Sequence, residues 1–284
     1  MPRETITAVI LTKNVEGMIE RCLKSILWMD EIILIDGGSV DRTLEIAKKY
    51  NAKVIVHPFS GDFGEERNLG NAYAVCDWII QMDADEVMSA GLRRAIEEIL
   101  NSNSREYVGY KFRRKNFFLG HFMKHGGWYH YMPQFFRRGY GNFKGRVHHI
   151  LELNGKMGRI DEDLEHYPFK DLAQFVDRQN RYTTLEAQEI FDQKGILPKK
   201  EIMYNLKWKP VKLFWKLYIK KKGFLEGLYG FVFSFLYAWV YFIKWAKYWA
   251  IVEESQKNIT RTHEKTFSSH NSKERRSQYC RAHQ

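Results

Sequence analysis

The sequence WIIQMDADE at residues 78–86 gives the clearest indication of how this chain folds. Residues 78–82 are a short apolar run of the kind that forms a buried strand. The run leads into Asp83, Asp85 and Glu86, three carboxylates within four residues. In open α/β sheets, ligands bind beyond the carboxyl ends of the strands. The pattern therefore predicts a strand that brings acidic side chains to a binding edge; a solvated turn is the alternative.

The residues around this strand alternate between strand and helix patterns. Apolar, β-branched runs predict strands at 6–12, 32–35 and 53–56, and helical spacing predicts helices at 15–27, 39–50 and 63–74. Ser39 is the predicted cap of the second helix, with Asp41 in its first turn. This order predicts an α/β fold with a mainly parallel sheet, helices on both faces, and Asp36 and Asp83 at one edge.

Four segments of this region resemble, in the same order, those of family 2 inverting glycosyltransferases. They are ILTKN (10–14), DGGSVDRT (36–43), GEERNLG (64–70) and DAD (83–85). RVHH (146–149) and LEHY (164–167) are similar to one branch of that family, which includes lipopolysaccharide inner-core glucosyltransferases that add glucose to heptose. The resemblance implies a GT-A fold, a Rossmann-like domain that binds a nucleotide sugar.

The resemblance also implies a role for each matching residue. The UDP-sugar would contact Thr12, Asn14, Asp36, Arg67, Asn68, Asp83 and Trp128. A hard divalent cation would relieve the repulsion between the neighbouring carboxylates, so Asp85 would hold Mn²⁺ or Mg²⁺ against the diphosphate. Asp83 and His166 would be further metal ligands, although a lone histidine also fits a structural role. Asp85 and Glu86 are the expected catalytic carboxylates.

Inversion requires a base that removes the proton of the acceptor hydroxyl. Relatives in this branch commonly read R-V-H-E, and the resemblance implies that the glutamate is the base. The present chain reads RVHH, so His149 takes that position, and neutral imidazole is a competent base near pH 7. Glu152, Asp161 and Asp163 are nearby alternatives. The departure also leaves open a catalytically silent, glycosyltransferase-like scaffold.

Three further patterns lie between residues 120 and 195. Residues 120–128 (GHFMKHGGW) predict a mobile loop over the donor sugar, on which Trp128 stacks; a turn with a core tryptophan is the alternative. Asn154-Gly155 predicts a hairpin between strands at 150–153 and 156–160. Asp171 begins a long amphipathic helix, and Gly195 ends it.

The positive charge of the chain is confined to its C-terminal part. Residues 199–284 contain 18 Lys or Arg and 6 Asp or Glu, whereas residues 1–198 contain 27 and 28. Between 204 and 222, lysines alternate with aromatic residues, a composition typical of the interface of an anionic membrane. A nucleic-acid-binding protein is the alternative, but the sequence shows no nucleic-acid motif, and no nucleic acid is expected as a partner.

A largely apolar run of 20 residues follows at 224–243, interrupted by Glu226. Such a length is enough to span a bilayer. Gly223, Gly227 and Gly230 also permit a bent helical hairpin in one leaflet, and a helix buried against the catalytic domain is a third interpretation. We favour monotopic attachment to the cytoplasmic face of the inner membrane, because a lipid-linked acceptor presents its hydroxyl at that surface.

The sequence thus predicts three parts. Residues 1–198 form the catalytic domain, with a nucleotide-binding half (1–100) and an acceptor half (101–198); residues 199–252 form a helical membrane-associating region, and residues 253–284 a mobile basic tail. Three cysteines without metal or disulfide spacing favour a reducing cytosol. The predicted function is metal-dependent, inverting transfer of a hexose from a UDP-sugar to a lipid-linked or lipopolysaccharide-core acceptor.

Overall fold

The structure is a computed structural model that describes residues 2–146 and 150–281, with side chains as far as Lys257. Its strands are β1 Ile6–Thr12, β2 Glu31–Asp36, β3 Lys53–Val56, β4 Trp78–Asp83, β5 Glu86–Met88, β6 Gly109–Phe118, β7 His121–Phe122, β8 His130–Arg137, β9 Gly141–Lys144, β10 Ile150–Leu153 and β11 Met157–His166. Its helices are α1 Ile19–Ile26, α2 Thr43–Lys49, α3 Phe63–Tyr73, α4 Ala90–Ser102, α5 Leu172–Lys194, α6 Lys199–Trp215 and α7 Gly227–Arg281. A π-helical turn at Lys216–Lys220 and a 3-10 turn at Gly223–Glu226 connect α6 to α7.

Nine strands of the described residues form one sheet, and its first half is parallel. The order is β3-β2-β1-β4-β8-β6-β11-β5, with β7 paired to β6. Strands β3, β2, β1 and β4 are parallel neighbours, as are β6 and β11. Strands β8 and β5 run antiparallel to the strands beside them. The predicted parallel strands are confirmed, and the complete sheet is mixed.

Both faces of β1, β2 and β4 are buried, whereas β3, at the edge of the sheet, is partly exposed. Along β1, Ile6, Ala8 and Ile10 pack with residues of α1 in one core cluster. Val9 belongs to a second cluster, against which Leu69 of α3 packs. Successive side chains of a strand face opposite sides, so a strand covered on both faces is a continuous apolar run. The predicted helices on both faces are confirmed.

The carboxyl ends of β1, β2 and β4 lie side by side. In the strand register, Thr12 of β1 is opposite Asp36 of β2, and Leu11 is opposite Asp83 of β4. The predicted placement of Asp36 and Asp83 at one edge of the sheet is therefore confirmed. The candidate site lies at this edge.

Helix α2 begins at Thr43, and the predicted cap at Ser39 is wrong. The Ser39 hydroxyl donates to Asp36 Oδ1 (2.5 Å) and accepts from the Asn14 N–H (2.9 Å). Asp41 precedes the helix and accepts from the N–H and the hydroxyl of Thr43 (3.0 and 2.5 Å). Ser39 is not available as a cap because the carboxylate of Asp36 engages its hydroxyl.

The predicted hairpin at Asn154-Gly155 is also wrong. Strand β10 pairs with β9 in a separate two-stranded sheet, whereas β11 pairs with β6 and β5 in the large sheet. Ile160 and Leu164 of β11 belong to the main core, and their burial places β11 beside β6. The turn therefore connects two sheets.

The chain divides into two compact units. One contains Met1–Arg178 and Phe214–Phe235, and the other contains Gln179–Leu213 and Leu236–Gln284. The predicted boundary at residue 198 falls inside the second unit, and the three predicted parts stay a prediction. Helix α5 begins after Asp171, whose carboxylate accepts from the Gln174 N–H (2.8 Å), and ends before Gly195, which has a φ of +60°. Both limits of this helix are as predicted.

The apolar run at 224–243 lies mostly in α7. Within the described residues, Gly223–Lys257 is the segment long and apolar enough to cross a membrane, with a mean hydropathy of 1.3. Only 28% of its apolar window is buried. The backbone of α7 is helical as far as Arg281. Side chains after residue 257 lie outside the description, so the mobile tail stays a prediction.

Gly70 allows α3 to lie close to the sheet. A Cβ atom on Gly70 would be 2.3 Å from Val9 Cγ1 and 3.2 Å from Ile35 Cγ1. Because Val9 is fully buried, we expect Gly70→Ala to lower the free energy of unfolding by about 1–3 kcal/mol. Denaturant unfolding measures this loss. Gly17→Ala is the control, since a Cβ there meets nothing within 4 Å, and a Gly70→Ala protein as stable as the control would contradict the close packing.

Candidate active site

Asp36 organises the turn that follows β2. Its side chain is fully buried and accepts from the Thr12 hydroxyl (3.1 Å) and the Ser39 N–H (2.7 Å). Asn14, which donates to Ser39, has a φ of +52°, and its side-chain oxygen accepts from the Val40 N–H (2.8 Å). The structure thus brings Thr12, Asn14 and Asp36, the predicted nucleotide-binding residues, into one hydrogen-bond network.

Asp83 lies between two arginines. Its Oδ1 accepts from Arg67 Nη2 (2.5 Å), and its Oδ2 accepts from Arg114 Nη2 (2.7 Å). Burial alone would raise the pKa of Asp83, but the positive charges of Arg67 and Arg114 hold it well below its usual range. Asp83 is therefore ionised. Both of its oxygens are engaged by arginines, which leaves it poorly placed as a metal ligand.

Arg67 and Asn68 are neighbours in α3 with different partners. Arg67 is nearly buried and also donates to Gln81 Oε1 (3.1 Å), which fixes its guanidinium beside Asp83. Asn68 pairs through its amide with both backbone groups of Phe143 (2.9 and 2.8 Å). Asn68 therefore holds β9 against α3, and its predicted contact with the nucleotide sugar stays a prediction.

Asp85 is a buried carboxylate whose two oxygens differ in their surroundings. Oδ2 accepts from Arg178 Nη1 (3.0 Å), whereas Oδ1 has no hydrogen-bond partner among the described residues. Oδ1 lies 3.4 Å from His166 Nε2. Burial would raise the pKa of Asp85, but the positive charges of Arg178 and Arg114 oppose it, and the pKa lies below its usual range. A buried, ionised oxygen without a donor is unfavourable, so a cation at this position would be stabilised.

Asn116 fixes both the orientation and the proton of His166. The Asn116 amide nitrogen donates to the carbonyl oxygens of Arg114 (3.2 Å) and Trp128, so its Oδ1 is an acceptor 2.5 Å from His166 Nδ1. The Nδ1 atom therefore carries the proton of the ring. Burial, and then Arg114, lower the pKa of His166, which keeps the ring neutral near pH 7. The lone pair of Nε2 is left on the side of Asp85 Oδ1.

The facing pair of Asp85 Oδ1 and His166 Nε2 fits a divalent cation. Metal-binding histidines typically donate their other ring N–H to an oxygen, as His166 does to Asn116. Within the described residues, no group of three or more His, Cys, Asp or Glu side chains could hold a metal ion. A cation here would therefore take its remaining ligands from a bound diphosphate, as Mg²⁺ usually does in nucleotide sites. The geometry favours the predicted ligands Asp85 and His166 over Asp83.

Asn116→Leu tests the support of His166. Leucine is similar in size but cannot accept the proton of Nδ1, so the imidazole loses its fixed orientation. We expect the Mn²⁺ affinity, measured by calorimetry in the presence of UDP, to fall by about 10–100-fold. Asn142→Leu, at an exposed position of β9, should leave the affinity unchanged. Unchanged affinity in Asn116→Leu would contradict a metal at His166.

Glu86 is buried between the backbone of Asp83 and the side chain of Arg114. Its side chain is fully buried, one oxygen accepts from the Asp83 N–H (2.8 Å), and the other lies 2.7 Å from Arg114 Nε. Burial raises the pKa of Glu86 to about 8 against the opposing charge of Arg114, and the charge of Asp83 adds to the rise. These contacts hold Arg114 and the end of β4 in place. The predicted catalytic role of Glu86 stays a prediction.

The 120–128 loop places Trp128 beside His166. The Trp128 ring packs edge-on against the His166 ring, with 6.2 Å between centroids, and against Phe233 at 4.9 Å. Trp128 is half-buried, so part of its surface is accessible. Gly126 and Gly127 both have a φ of +82°, a conformation that favours glycine. Trp128 thus lies next to the candidate metal pair, and its predicted contact with a donor sugar stays a prediction.

The predicted base, His149, lies outside the described residues. The alternatives Glu152, Asp161 and Asp163 each form an ion pair with a nearby basic side chain. Glu152 and Asp161 are also largely exposed, with 56% and 61% of their side chains accessible. The identity of the base therefore stays a prediction.

Three residues of the site belong to no motif: Arg114, Asn116 and Arg178. Arg114 and Asn116 are spaced i, i+2 on β6, and this spacing places them on one face of a strand. That signal was available in the sequence. Arg178 reaches Asp85 from α5 across 93 residues, a contact that no local pattern predicts.

The fold and the site together define a class of protein. In open α/β sheets, ligands bind beyond the carboxyl ends of the parallel strands, where Asp36 and Asp83 lie. The nearby histidine and arginines suit an anionic ligand with a cation. The arrangement is therefore that of an α/β protein whose ligand site lies at the carboxyl edge of the parallel strands.

Comparison with known proteins narrows this class to a family. The chain matches the model of Glycosyl transferase family 2 over residues 7–152, more than half of its length. An uncharacterised glycosyltransferase of Rickettsia felis is 28% identical, over 94% of this chain and 96% of its own. The lipopolysaccharide core biosynthesis glycosyltransferase LpsC of Rhizobium meliloti is 26% identical, over 84% and 92%. The crystal structure of glucosyl-3-phosphoglycerate synthase from Mycobacterium tuberculosis with Mn²⁺, UDP and glucosyl-3-phosphoglycerate covers 39% of this chain and 44% of its own, with 23% identity and a TM-score of 0.33.

The chain belongs to glycosyl transferase family 2. It is therefore an enzyme that transfers a sugar from a nucleotide donor. The resemblance of the four sequence segments to this family is confirmed. The substrate class that follows for the enzyme is a nucleotide sugar.

Proposed function

We propose that this glycosyltransferase moves a hexose from a UDP-sugar to a lipid-linked or lipopolysaccharide-core saccharide, with inversion and with Mn²⁺ or Mg²⁺. One observation carries the metal dependence. The ionised, buried Asp85 Oδ1 has no hydrogen bond from the described residues and lies 3.4 Å from His166 Nε2, the ring nitrogen opposite the one that donates to Asn116. Two electron-rich atoms this close are stabilised by a cation between them and the substrate.

Different residues of the site would bind the cation, the nucleoside and the sugar. Asp85 and His166 would hold the cation, which when bound neutralises negative charge on the departing diphosphate. Thr12, Asn14 and Asp36 would bind the nucleoside, because their oxygens can accept from a base N–H or a ribose hydroxyl. Trp128 would cover one face of the sugar and exclude water from it.

The acceptor hydroxyl would lose its proton to a base on the side opposite the leaving group. We assign this role to His149. Arg146, shortly before it, is anchored to the start of α3, since its carbonyl oxygen accepts from the Phe63 N–H (2.9 Å). The same helix carries Arg67, so Arg146 contacts an element of the candidate site. The reaction would be a single in-line displacement without a covalent sugar–enzyme intermediate.

The exposed residues of the 214–235 segment support attachment to an anionic membrane. Trp215, Leu225, Leu228 and Phe235 are between 55% and 75% exposed. The lysines at 216 and 220–222 lie in the same segment. Apolar surface next to basic side chains suits the interface of an anionic bilayer. We therefore place the enzyme at the cytoplasmic face of the inner membrane as a monotopic protein, and the name of the relative LpsC supports a lipopolysaccharide-core acceptor.

Calorimetry with a panel of nucleotide sugars and Mn²⁺ tests the donor and the metal. We expect UDP-hexoses to bind more tightly than GDP- or CMP-sugars, and to lose affinity when the metal is chelated. Equal affinity without metal would contradict the role of Asp85 and His166. A protein that binds no nucleotide sugar and releases no UDP would instead be the silent scaffold.

Sedimentation with vesicles tests the membrane setting. Vesicles that contain phosphatidylglycerol should bind the protein, and added salt should weaken this binding. Three controls are used: vesicles of phosphatidylcholine, which carry no net charge, and separately RNA and DNA. Comparable binding to RNA or DNA would favour the nucleic-acid alternative.

A further inference from the structure

Glu226 joins the 214–235 segment to the 120–128 loop. It is the only acidic residue between 224 and 243, and its side chain is 8% exposed. One carboxylate oxygen accepts from the His125 N–H (2.8 Å) and lies 2.6 Å from His125 Nδ1, and the other lies 2.7 Å from His121 Nε2. Because an ionised carboxylate only accepts hydrogen bonds, both ring nitrogens donate to it. Three donors of the loop therefore converge on one side chain.

Two further contacts join the same stretches. The Gly126 N–H donates to the carbonyl oxygen of Lys221 (2.8 Å). The Phe233 ring packs against Trp128 at 4.9 Å, and Trp128 in turn contacts His166. The loop is thus held from its beginning to Trp128 by the 214–235 segment. The arrangement of Trp128 in the candidate site depends on that segment.

The apolar residues next to Glu226 are exposed, unlike Glu226 itself. Leu225 and Leu228 are 55% and 75% exposed, whereas Glu226 is enclosed by the loop. A carboxylate in an apolar segment at a membrane is costly unless it is paired, and His121 and His125 supply the pairing. The carboxylate of Glu226 therefore faces the loop. The side chains of Leu225 and Leu228 and the lysines of the segment are exposed to solvent.

We propose that Glu226 is a positioning residue that couples the binding of an anionic phospholipid bilayer by the 214–235 segment to the position of Trp128 over the donor sugar. This inference rests on the proposed function, since it requires a sugar at Trp128 and lipid at the exposed side chains. Contact with a bilayer restricts the segment and favours the loop arrangement in which Trp128 lies beside His166. Lipid therefore strengthens binding of the sugar part of the donor. Binding of the nucleotide part stays the same, because Thr12, Asn14 and Asp36 lie at strand ends.

Glu226→Gln tests the coupling, and Glu254→Gln, at an exposed position later in α7, is the matched control. Glutamine keeps the size of the side chain but has one acceptor oxygen and no charge, so the three donors are no longer satisfied. Calorimetry with Mn²⁺ compares UDP-glucose with UDP for each protein, with and without vesicles of phosphatidylglycerol and phosphatidylethanolamine. For the wild type and Glu254→Gln, we expect the vesicles to tighten binding of UDP-glucose and to leave that of UDP unchanged.

For Glu226→Gln, we expect about tenfold weaker binding of UDP-glucose, unchanged binding of UDP, and no response of either to vesicles. Sedimentation with the same vesicles should be unaltered, because Glu226 does not face outward. Equal losses for UDP and UDP-glucose would show that Glu226 only supports the fold, and would overturn the inference. Wild-type affinity for UDP-glucose would overturn it as well.

Hydrogen exchange separates failure of this inference from failure of the proposed function. Exchange at the amides of residues 120–128 requires no nucleotide. We expect it to be faster in Glu226→Gln than in Glu254→Gln, and vesicles to slow it in the wild type but not in Glu226→Gln. If these differences appear while no nucleotide sugar binds, the proposed function fails, and only the link between the bilayer and the 120–128 loop is supported. If a nucleotide sugar binds and exchange of the loop is the same in all three proteins, the coupling is overturned.

Discussion

Asp85→Asn is expected to lower the metal-dependent release of UDP from a UDP-sugar by about 10²–10³-fold. Asparagine has the same shape, but it replaces an ionised carboxylate with a neutral amide. The charge that would hold a cation beside His166 is lost, and with it the stabilisation of the departing diphosphate. Release of UDP at saturating Mn²⁺, with water or an acceptor as the second substrate, measures the effect.

Asp192→Asn is the control for this substitution. It makes the same chemical change at an exposed position of α5, and the rate should stay at the wild-type value. Denaturant unfolding of both variants shows whether the fold is intact, since Asp85→Asn also weakens the contact with Arg178. A folded Asp85→Asn protein that releases UDP at the wild-type rate would contradict the proposed metal site.

The strands of residues 1–100 were predictable from short apolar, β-branched runs, and β1, β2 and β4 are also covered on both faces. Strands β1 and β3 have the predicted bounds, and β4 extends the predicted strand to Asp83. A short, continuous run of β-branched residues is typical of a parallel strand inside an α/β sheet. The shared edge of Asp36 and Asp83 follows from the parallel direction of these strands. Local composition was sufficient for this part of the fold.

Ser39 and the Asn154-Gly155 turn show where local composition fails. Ser39 is a suitable cap by residue type, but the Asp36 carboxylate binds its hydroxyl. Asn-Gly is a strong hairpin signal, but the apolar side chains of β11 fit beside β6. In both cases a partner outside the local pattern competes with it and is preferred.

The same reason explains which parts of the site were missed. Asp85 was identified by its motif, whereas Arg178 lies 93 residues away from it along the chain. Asn116 lies 50 residues from His166, whose proton it fixes. Motifs mark the groups that we expect to contact substrate, and the groups that set their charge and orientation are assembled by tertiary packing. Glu226 was noticed in the sequence only as an interruption of the apolar run.

Glu4 and Arg137 form a buried ion pair before the amino end of β1. The two carboxylate oxygens of Glu4 accept from Arg137 Nη1 and Nη2 (2.7 and 2.9 Å), and one of them also accepts from Trp78 Nε1 (2.8 Å). The two charged side chains are only 7% and 6% exposed. Such a two-pronged pair is among the stronger hydrogen-bonded contacts in proteins. No motif contains either residue.

Glu4→Ala is expected to lower the free energy of unfolding by about 3–5 kcal/mol. The substitution leaves the guanidinium of Arg137 buried without its counter-charge, and the Trp78 N–H loses its acceptor. Denaturant unfolding at neutral pH measures the loss. Glu45→Ala, which breaks an exposed pair with Lys49, should leave the stability nearly unchanged. A loss in Glu4→Ala no larger than that in Glu45→Ala would contradict the importance of the buried pair.

The effect of Glu4→Ala should also depend on pH, in one direction. Burial would raise the pKa of Glu4, but the hydrogen bonds from Arg137 and Trp78 outweigh it, and the pKa lies below its ordinary value of 4.5. As the pH falls, the unfolded chain therefore takes up the proton before the folded protein does. The stabilisation by Glu4 is complete above pH 4.5 and is lost as the pH falls through the folded-state pKa. The difference in stability between wild type and Glu4→Ala should shrink in acid, and a constant difference would contradict an ionised Glu4.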